Sequence, residues 1–284
     1  MFTIKKAAEL TGVPEHTLRA WERRYSFVVP LRTESGYRVF DDEAIARIRA
    51  MRGLVDAGWA PREAAAEVSR RHAGGAGPLA EGAVEDLVEA AVRLDADAAA
   101  RIISERFALA DFEAVVDGWL MPALARLGRE WASGRVSVAG EHLVANAVMG
   151  RLGAAYDAAG PAASGPPLVV GAPPGVHHVL GLLAFAVALR RARVATLYLG
   201  ADVPLDSWVE AVVTSGARGA VTIAPRRSDA ARAGEVAERL WAVRPGLPLW
   251  VGGRQQHAVA PACRPLGHHI GPAARELAAE LAAA

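Results

Sequence analysis

Two neighbouring histidines follow a short apolar run in the C-terminal part of the sequence, where a ring nitrogen could bind a cofactor. The run Leu168–Gly171 is typical of a buried strand, and His177 and His178 precede the next helical pattern. A histidine at such a strand-to-helix connection can present a ring nitrogen to a planar cofactor above the sheet. Gly181 lets a bulky ligand approach the first helical turn. We therefore expect a ligand site here; a loop histidine that only makes hydrogen bonds is the alternative.

Small residues end two later apolar runs of the same region. Thr222 lies at the end of one run, and Gly252 and Gly253 lie at the end of another. Small residues at both places leave a groove in which the long tail of a ligand could insert between strands. Ligands of parallel sheets bind beyond the carboxyl ends of the strands. The tail groove and the histidines are therefore expected at the same edge of the sheet.

A tryptophan and a Glu-His pair occur at a fixed spacing earlier in the chain. Trp131 stands at the predicted end of one helix, and Glu141 and His142 stand early in the next. Side chains in these positions can converge on one face of a cavity. Considered one at a time, Trp131 could equally be a core residue and Glu141 a solvent-exposed one. The prediction of a shared cavity therefore depends on the spacing of the three residues.

The remaining sequence excludes several classes of protein. No Ser-His-Asp, paired-carboxylate or phosphate-loop arrangement occurs at a convincing spacing, so an enzyme is not expected. The single cysteine, Cys263, rules out an intrachain disulfide framework and a cysteine-based zinc site. The amino terminus has no apolar signal core, and no window offers about 18 uninterrupted apolar residues. We expect a cytoplasmic protein without a membrane segment.

Basic residues gather near the amino terminus, although the formal net charge of the chain is only +1. Between Arg19 and Arg38 there are five arginines and two glutamates. A compact cationic stripe of this kind is what phosphate neutralisation needs.

The same region has the pattern of a winged helix-turn-helix. Apolar residues from Ile4 to Leu10 give one helical face, Gly12 is placed for the turn, and Leu18 and Trp21 restart the apolar pattern. Residues 32–38 then predict a tight turn between extended pieces, which is a wing. The side chains expected to meet bases or phosphates are His16, Thr17, Arg19, Arg23, Arg24, Tyr25, Arg32, Tyr37 and Arg38.

Changes in composition divide the chain into three predicted domains, at residues 1–75, 79–160 and 166–284. The middle one is rich in Ala, Val and Leu and predicts a four-helix bundle, with Asp95 and Ser137 as N-caps. Its helices are expected at 79–92, 96–107, 110–132 and 137–158.

The last domain alternates short apolar runs with longer helical patterns. Strands are expected at 168–171, 194–199, 220–223 and 247–253, with helices near 178–191, 204–215, 229–243 and 272–283. Buried apolar strands separated by amphipathic helices indicate a parallel, doubly wound α/β sheet of the Rossmann-like, flavodoxin-like kind.

The N-terminal motifs resemble the MerR family of winged helix-turn-helix regulators. The resemblance rests on the segment 18–25, on Pro30-Leu31-Arg32-Thr33 and on 36–40, at fixed spacings over about 70 residues. It implies a dimer that reads a pseudo-palindromic operator in double-stranded DNA. One departure is Ser26-Phe27, where the family usually has Gly-Leu. Residues after Met51 lack the long heptad helix with which many members dimerise, so oligomer formation must involve the later domains.

The C-terminal motifs resemble the cobalamin-binding domain shared by methionine synthase and corrinoid-dependent mutases. That family's D-x-H-x-x-G motif places His178 as the cobalt axial ligand, with His177 beside it and Gly181 after it. Its S-x-L element is matched in relaxed form by residues 222–224, and its Gly-Gly pair by 252–253. Val176 replaces the acidic residue that supports the ligand histidine, which implies weaker donation to cobalt.

Trp131, Glu141 and His142 resemble the W-x9-E-H motif of CarH-type photoreceptors, MerR regulators that bind adenosylcobalamin between a four-helix bundle and the cobalamin domain. The resemblance implies that these residues form the upper face of the cofactor site. Ala132 stands where the best-known members have a second cobalt-binding histidine, and a methyl group cannot ligate. A bis-histidine photoproduct through this position is therefore excluded, which leaves open a light response through another ligand, a response to the level of cobalamin, or the binding of a different tetrapyrrole.

Three functions remain open at this point. The first is a repressor whose homo-oligomer formation and operator binding depend on adenosylcobalamin or another cobalamin, with or without a response to light. The second is a MerR-type regulator that senses another tetrapyrrole or no cofactor. The third is a corrinoid methyl carrier, against which the DNA-binding module argues.

Overall fold

The protein was described from a computed structural model, which covers residues 2–25, 31–32, 38–56, 58, 60–65, 68, 78–160 and 165–283. The chain divides into two units, residues 1–79 and 80–284. In the parts of the chain so described, no helix combines the length and the apolar character that crossing a membrane requires.

The first unit is a winged helix-turn-helix, as the sequence predicts. Its elements in chain order are β1 (Phe2–Thr3), α1 (Ile4–Thr11), α2 (Glu15–Tyr25), β2 (Leu31–Arg32), β3 (Arg38–Phe40) and α3 (Asp42–Asp56). The strands form an antiparallel sheet in the order β1-β3-β2. Leu18 and Trp21 of α2 and Ile45, Ile48 and Met51 of α3 are buried in one core with α1, which contacts both helices.

The turn between α1 and α2 is held by arginines of α3. Gly12 has φ +66° and ends α1 in the left-handed conformation. Nη1 of Arg52 donates to the carbonyl of Thr11 (2.7 Å), and Nη2 of Arg49 donates to that of Leu10 (2.8 Å). These bonds satisfy carbonyls that the end of α1 leaves unpaired, and they fix the direction in which α2 departs.

The second unit begins with a helical bundle. Its elements are α4 (Pro78–Arg93), α5 (Ala96–Leu109), α6 (Phe112–Val115), a π-helical turn (Val116–Leu120), α7 (Met121–Ala132) and α8 (Val138–Ala158). The predicted N-caps are confirmed, because the side chain of Asp95 accepts from the amide of Ala98 and that of Ser137 from the amide of Gly140. The predicted third helix is continuous from α6 to α7 but contains the π turn.

A parallel sheet follows, in the order β5-β4-β6-β7-β8. Its elements are β4 (Leu168–Gly171), α9 (Leu180–Arg191), β5 (Thr196–Gly200), α10 (Leu205–Ser215), β6 (Gly219–Ile223), α11 (Arg227–Val243), β7 (Leu249–Gly252), β8 (Arg264–Pro265) and α12 (Ile270–Ala283). This is the flavodoxin-like strand order, and the chain changes direction between β4 and β6, which is the topological switch point. Strand β8 was not predicted, because its two exposed residues carry no apolar pattern.

The bundle packs on the face of the sheet that α9 and α12 cover. Helix α8 lies along α9, and one apolar core runs from the bundle into the sheet. Asp117, in the π turn, accepts hydrogen bonds from the amides of Ile270 (2.7 Å) and Gly271 (2.8 Å) at the start of α12. Arg191 forms an ion pair with Glu113 (2.8 Å). The division of this unit into domains at 79–160 and 166–284 stays a prediction.

We expect Gly12→Ala to lower the free energy of unfolding of the N-terminal unit by about 1–2 kcal/mol, the usual cost of a left-handed conformation for a residue with a Cβ. That Cβ would also overlap the guanidinium of Arg52. Native-state hydrogen exchange of the amides of α1 and α2 in the full chain measures the change. Gly53→Ala is the control, since an added Cβ there meets nothing within 4 Å. Equal stability of the two variants would contradict this view of the turn.

Candidate functional site

The loop between β4 and α9, at the switch point, carries the two predicted histidines. The amide of Gly175 donates to Oδ1 of Asp202 (2.6 Å), and the amide of Asp202 donates to the carbonyl of Val176 (3.1 Å). Both Gly175 and Asp202 have positive φ. The loop is therefore fixed to the end of β5, and it presents His177 and His178 at an exposed rim of the sheet.

His178 makes a specific contact across the switch point. Nη2 of Arg226 lies 2.8 Å from Nε2 of His178. Since a guanidinium can only donate, Nε2 must accept, and the neutral ring then carries its proton on Nδ1. Partial burial is the main cause that lowers the pKa of His178, and the charge of Arg226 lowers it further. The carboxylates of Asp229 and Glu141 oppose this shift.

Val176 occupies the place where the resembling cobalamin-binding domains have an acidic residue. Its side chain is 2% exposed and belongs to the apolar core. A valine offers no acceptor for Nδ1–H of His178, so the ring is oriented in this structure from its Nε2 side, by Arg226.

Thr222 is the most unusual polar residue of the sheet. Its side chain is completely buried, and its Oγ1 has no hydrogen-bond partner among the residues that the structure describes. Thr196, by contrast, has its Oγ1 3.1 Å from the hydroxyl of Tyr156. A buried hydroxyl without a partner is unfavourable by about 1–3 kcal/mol, so Thr222 is suited to a ligand that supplies the missing partner.

The two predicted glycines at the end of β7 have different roles. A Cβ on Gly252 would meet its nearest neighbours at 3.7 Å, which is ordinary contact. Gly253 has φ +92°, and a Cβ there would lie 2.7 Å from the carbonyl oxygen of Ala224. The backbone therefore requires glycine at 253 whether or not a ligand binds, whereas position 252 would accept a Cβ without a clash.

Helix α8 lies along α9, and its C-terminal end is tied to that of α9, because Arg190 donates to the carbonyl of Tyr156 (3.1 Å). Glu141, near the other end of α8, acts electrostatically on the pKa of His178, against the shift that burial causes. The start of α8 therefore lies near the histidine loop.

The bundle residues of the predicted site are accessible to solvent. Trp131, at the end of α7, is 49% exposed. Oε2 of Glu141 lies 2.8 Å from Nδ1 of His142, and the side chain of His142 is exposed. A Cβ on Gly181 would lie 3.4 Å from Cε of Met121, so the bundle touches the first turn of α9 at that point. The two layers meet at Met121, while Trp131, His142 and His178 are left uncovered.

The structure therefore places one group of predicted residues on the rim of the sheet and another on the bundle helices above it. The rim group is His177, His178, Gly181, Thr222, Gly252 and Gly253, and the bundle group is Trp131, Glu141 and His142. Arg226 was not predicted. The signal that could have found it is topological, since the connection after β6 must lie beside the connection after β4 at a switch point.

Helix α2 presents a basic face to solvent. His16, Arg19 and Arg23 are exposed and follow one another at helical spacing, opposite the buried Leu18 and Trp21. The ion pair of Arg19 with Glu15 is long (3.8 Å) and exposed, so it neutralises the charge of Arg19 only weakly. The face is suited to contact with phosphates and base edges.

Of the other predicted DNA contacts, three have side chains that the structure describes and three do not. Arg24 is exposed and Thr17 is partly exposed on the flanks of this face, whereas Tyr25 is partly buried against the core of its unit. Three predictions lie outside the described residues, namely the side chains of Arg32 and Arg38 and the whole of Tyr37.

Comparison with known protein families agrees with both halves of this description. Residues 2–70 match the model of the MerR HTH family regulatory proteins, and residues 83–156 match the model of a B12 binding domain. The chain is thus a MerR-type helix-turn-helix protein joined to a unit of the B12-binding kind.

Two relatives from Myxococcus xanthus carry both parts. The HTH-type transcriptional repressor CarH is 34% identical over 95% of this chain and 94% of its own length. The HTH-type transcriptional repressor CarA is 37% identical over 71% of this chain and 68% of its own length. The chain belongs to the CarA/CarH family of HTH-type transcriptional repressors.

A solved structure with a similar fold is the monomethylamine corrinoid protein of Methanosarcina barkeri. It covers 69% of this chain and 96% of its own, with a TM-score of 0.51 and 14% identity. At this identity the likeness concerns the fold alone, which is a helical bundle with a Rossmann-like sheet.

We expect Thr222→Val to leave the free energy of unfolding unchanged or to raise it by about 1 kcal/mol, because it removes an unpaired buried hydroxyl at constant shape. Thr196→Val is the matched control and should lower it by about 1 kcal/mol, because its hydroxyl is paired with Tyr156. Urea denaturation of the protein prepared without cobalamin compares the two. A marked loss of stability in Thr222→Val would mean that its hydroxyl has a structural partner.

Proposed function

We propose that this chain is a transcriptional repressor whose N-terminal unit binds an operator in double-stranded DNA, and whose DNA binding is controlled by a cobalamin held in the C-terminal unit. Membership of the CarA/CarH family and the match of residues 83–156 to a B12 binding domain support the proposal. The exposed basic face of α2 supports the DNA-binding half.

The observation that carries the cobalamin half is the unpaired, buried hydroxyl of Thr222. It lies near the carboxyl end of β6, at the sheet edge that also carries His178 and Gly252. The hydroxyl is a donor and an acceptor, so the polar nucleotide tail of a cobalamin would satisfy it. The residues present therefore fit the group that the family implies.

The chain's own residues divide the task between the two layers. Nε2 of His178 would coordinate the cobalt ion, with His177 beside it, and Thr222 and Gly252 would hold the tail. Trp131, Glu141 and His142 would contact the bound group from the bundle, where Trp131 and His142 are exposed. A bound cobalamin would supply a cobalt ion that accepts a nitrogen donor from the protein and carries an organic group. Adenosylcobalamin is the form that we assign, because a large exposed tryptophan offers a flat apolar surface to such a group.

Assembly is the step that we propose the cofactor controls. Helix α3 has only 15 residues and ends at Asp56, so it does not supply a long dimerisation helix. Gathering several DNA-binding units into a homo-oligomer raises operator affinity through effective concentration, without any new DNA contact. Ala132 removes one route by which light could act, so we assign the presence of the cofactor as the primary signal.

The test uses the full-length protein with adenosylcobalamin, or with haemin as a comparison tetrapyrrole, in the dark and after illumination. We expect the cobalamin spectrum to remain with the protein after desalting, a larger species in size-exclusion chromatography, and tighter binding to a DNA site selected from a random library. His178→Ala should lose cobalamin, and the exposed His257→Ala should retain it. Retention of haemin alone would identify another tetrapyrrole, and equal DNA binding with no corrinoid retained would identify a cofactor-independent regulator.

We expect Arg23→Ala to weaken operator binding and to reduce the slope of log K against log salt by about 1, since one fewer counterion is released. Fluorescence anisotropy over a salt titration measures both. Arg101→Ala is the control, because Arg101 is an exposed arginine of the bundle paired with Glu105 (3.1 Å) and its loss makes the same change in net charge. Full affinity and an unchanged slope in Arg23→Ala would exclude the proposed orientation of α2 on DNA.

A further inference from the structure

The hydrogen bond between Arg226 and His178 joins the two connections that flank the switch point. His178 precedes α9, in the connection after β4, and Arg226 precedes α11, in the connection after β6. The bond is 2.8 Å long and joins residues 48 positions apart in the chain. It is a direct contact between the two sides of the proposed cofactor site.

The backbone of Arg226 is fixed, whereas its side chain is exposed. The amide of Arg226 donates to Oδ2 of Asp229 (3.0 Å), and Asp229 is 4% exposed. Oδ1 of Asp229 accepts from Arg232 (3.1 Å). The main chain therefore holds Arg226 beside His178, and its guanidinium can leave the imidazole for solvent without breaking the start of α11.

Cobalt and Arg226 require the same atom of His178. A neutral imidazole has one ring nitrogen with a free lone pair, and in this structure Nε2 uses it to accept from Arg226. A lone pair that accepts a hydrogen bond is not available for coordination at the same time. Coordination of His178 must therefore break the bond to Arg226.

We propose that Arg226 is a positioning residue that competes with cobalt for Nε2 of His178 and so sets the cobalamin concentration to which the chain responds. The inference rests on the proposed function. While bonded, Arg226 keeps the ring neutral on its Nε2 side and oriented towards the switch point. In the resembling cobalamin-binding domains an acidic residue orients this ring. Val176 stands at that position and has no carboxylate with which to do so. The same bond lowers the apparent affinity, because only the fraction of molecules that has released the imidazole can coordinate.

The experiment titrates full-length protein with adenosylcobalamin in the dark, and with aquacobinamide, a corrinoid without the nucleotide tail, followed by visible absorbance. Cobinamide separates coordination by His178 from contacts of the tail with Thr222. We expect Arg226→Ala to bind both corrinoids roughly 3- to 10-fold more tightly, the effect of removing one partly exposed hydrogen bond. Arg226→Met, which keeps the length of the side chain, should behave alike. Arg227→Ala is the matched control, since it removes the neighbouring exposed charge.

A double-mutant cycle with His178→Ala tests whether Arg226 changes corrinoid affinity through His178. In that background Arg226→Ala should change corrinoid affinity by less than 2-fold, because the competition no longer exists. A second readout needs no cobalamin: nitrogen-15 NMR of the imidazole should show the proton mainly on Nδ1 in the wild type, and a smaller share of that tautomer in Arg226→Ala.

The outcomes separate the inference from the function on which it rests. If the wild type retains no corrinoid, the proposed function fails and the inference fails with it. If the wild type shows His178-dependent coordination but Arg226→Ala binds with equal or lower affinity, the inference alone is overturned. Equal gains in Arg226→Ala and Arg227→Ala would also overturn it, because the effect would then be one of charge and not of the hydrogen bond.

Discussion

The packing of α9 between the sheet and the bundle is the constraint on which the rest of the second unit depends. Every residue from Leu182 to Leu189 is buried, so this helix has no face for solvent and needs a layer on each side. Burying a large apolar side chain contributes about 1.5–3 kcal/mol, and α9 buries several. The loop that carries His178 leads into this helix, and the bundle helix that carries Glu141 lies along it. The geometry of the candidate site therefore follows from the packing of a single helix.

The charge environment of His178 follows from the valine at position 176, where the resembling cobalamin-binding domains have an acidic residue. A carboxylate at position 176 would face an apolar interior unless a histidine ring or another donor compensated it, whereas Val176 packs there without charge. The ring of His178 then lacks support from below and is held from across the switch point by a cation. The positive charge of Arg226 disfavours protonation of the ring and so favours the neutral imidazole, whereas a carboxylate would favour the charged one. Either an acidic residue at position 176 or Arg226 can orient the ring of His178. The acidic residue would strengthen its donation to a metal, whereas Arg226 weakens it.

Local patterns in the sequence predicted most of the elements, and contacts between distant residues account for what was missed. The alternation of apolar runs and helical patterns gave the four main strands to within about two residues. Asp95 and Ser137 marked helix starts because an N-cap is a property of adjacent residues. Helix α9 was predicted as amphipathic, whereas its unbroken buried run from Leu182 to Leu189 is the pattern of a helix covered on both sides. Arg226 and Asp117 carry no such local signal, because each acts on a residue remote in sequence and close only in the fold.

The carboxylate of Asp117 makes the last helix of the chain dependent on the bundle. Its two oxygens accept from the first amides of α12, which no residue of α12 itself can satisfy. A swinging motion that lifted the bundle from the sheet would leave both amides and a carboxylate unpaired at the moment of separation. The layers are thus tied together at the start of α12 as well as along α9. Any separation of the bundle from the sheet is therefore opposed by hydrogen bonds to a charged group in addition to apolar packing.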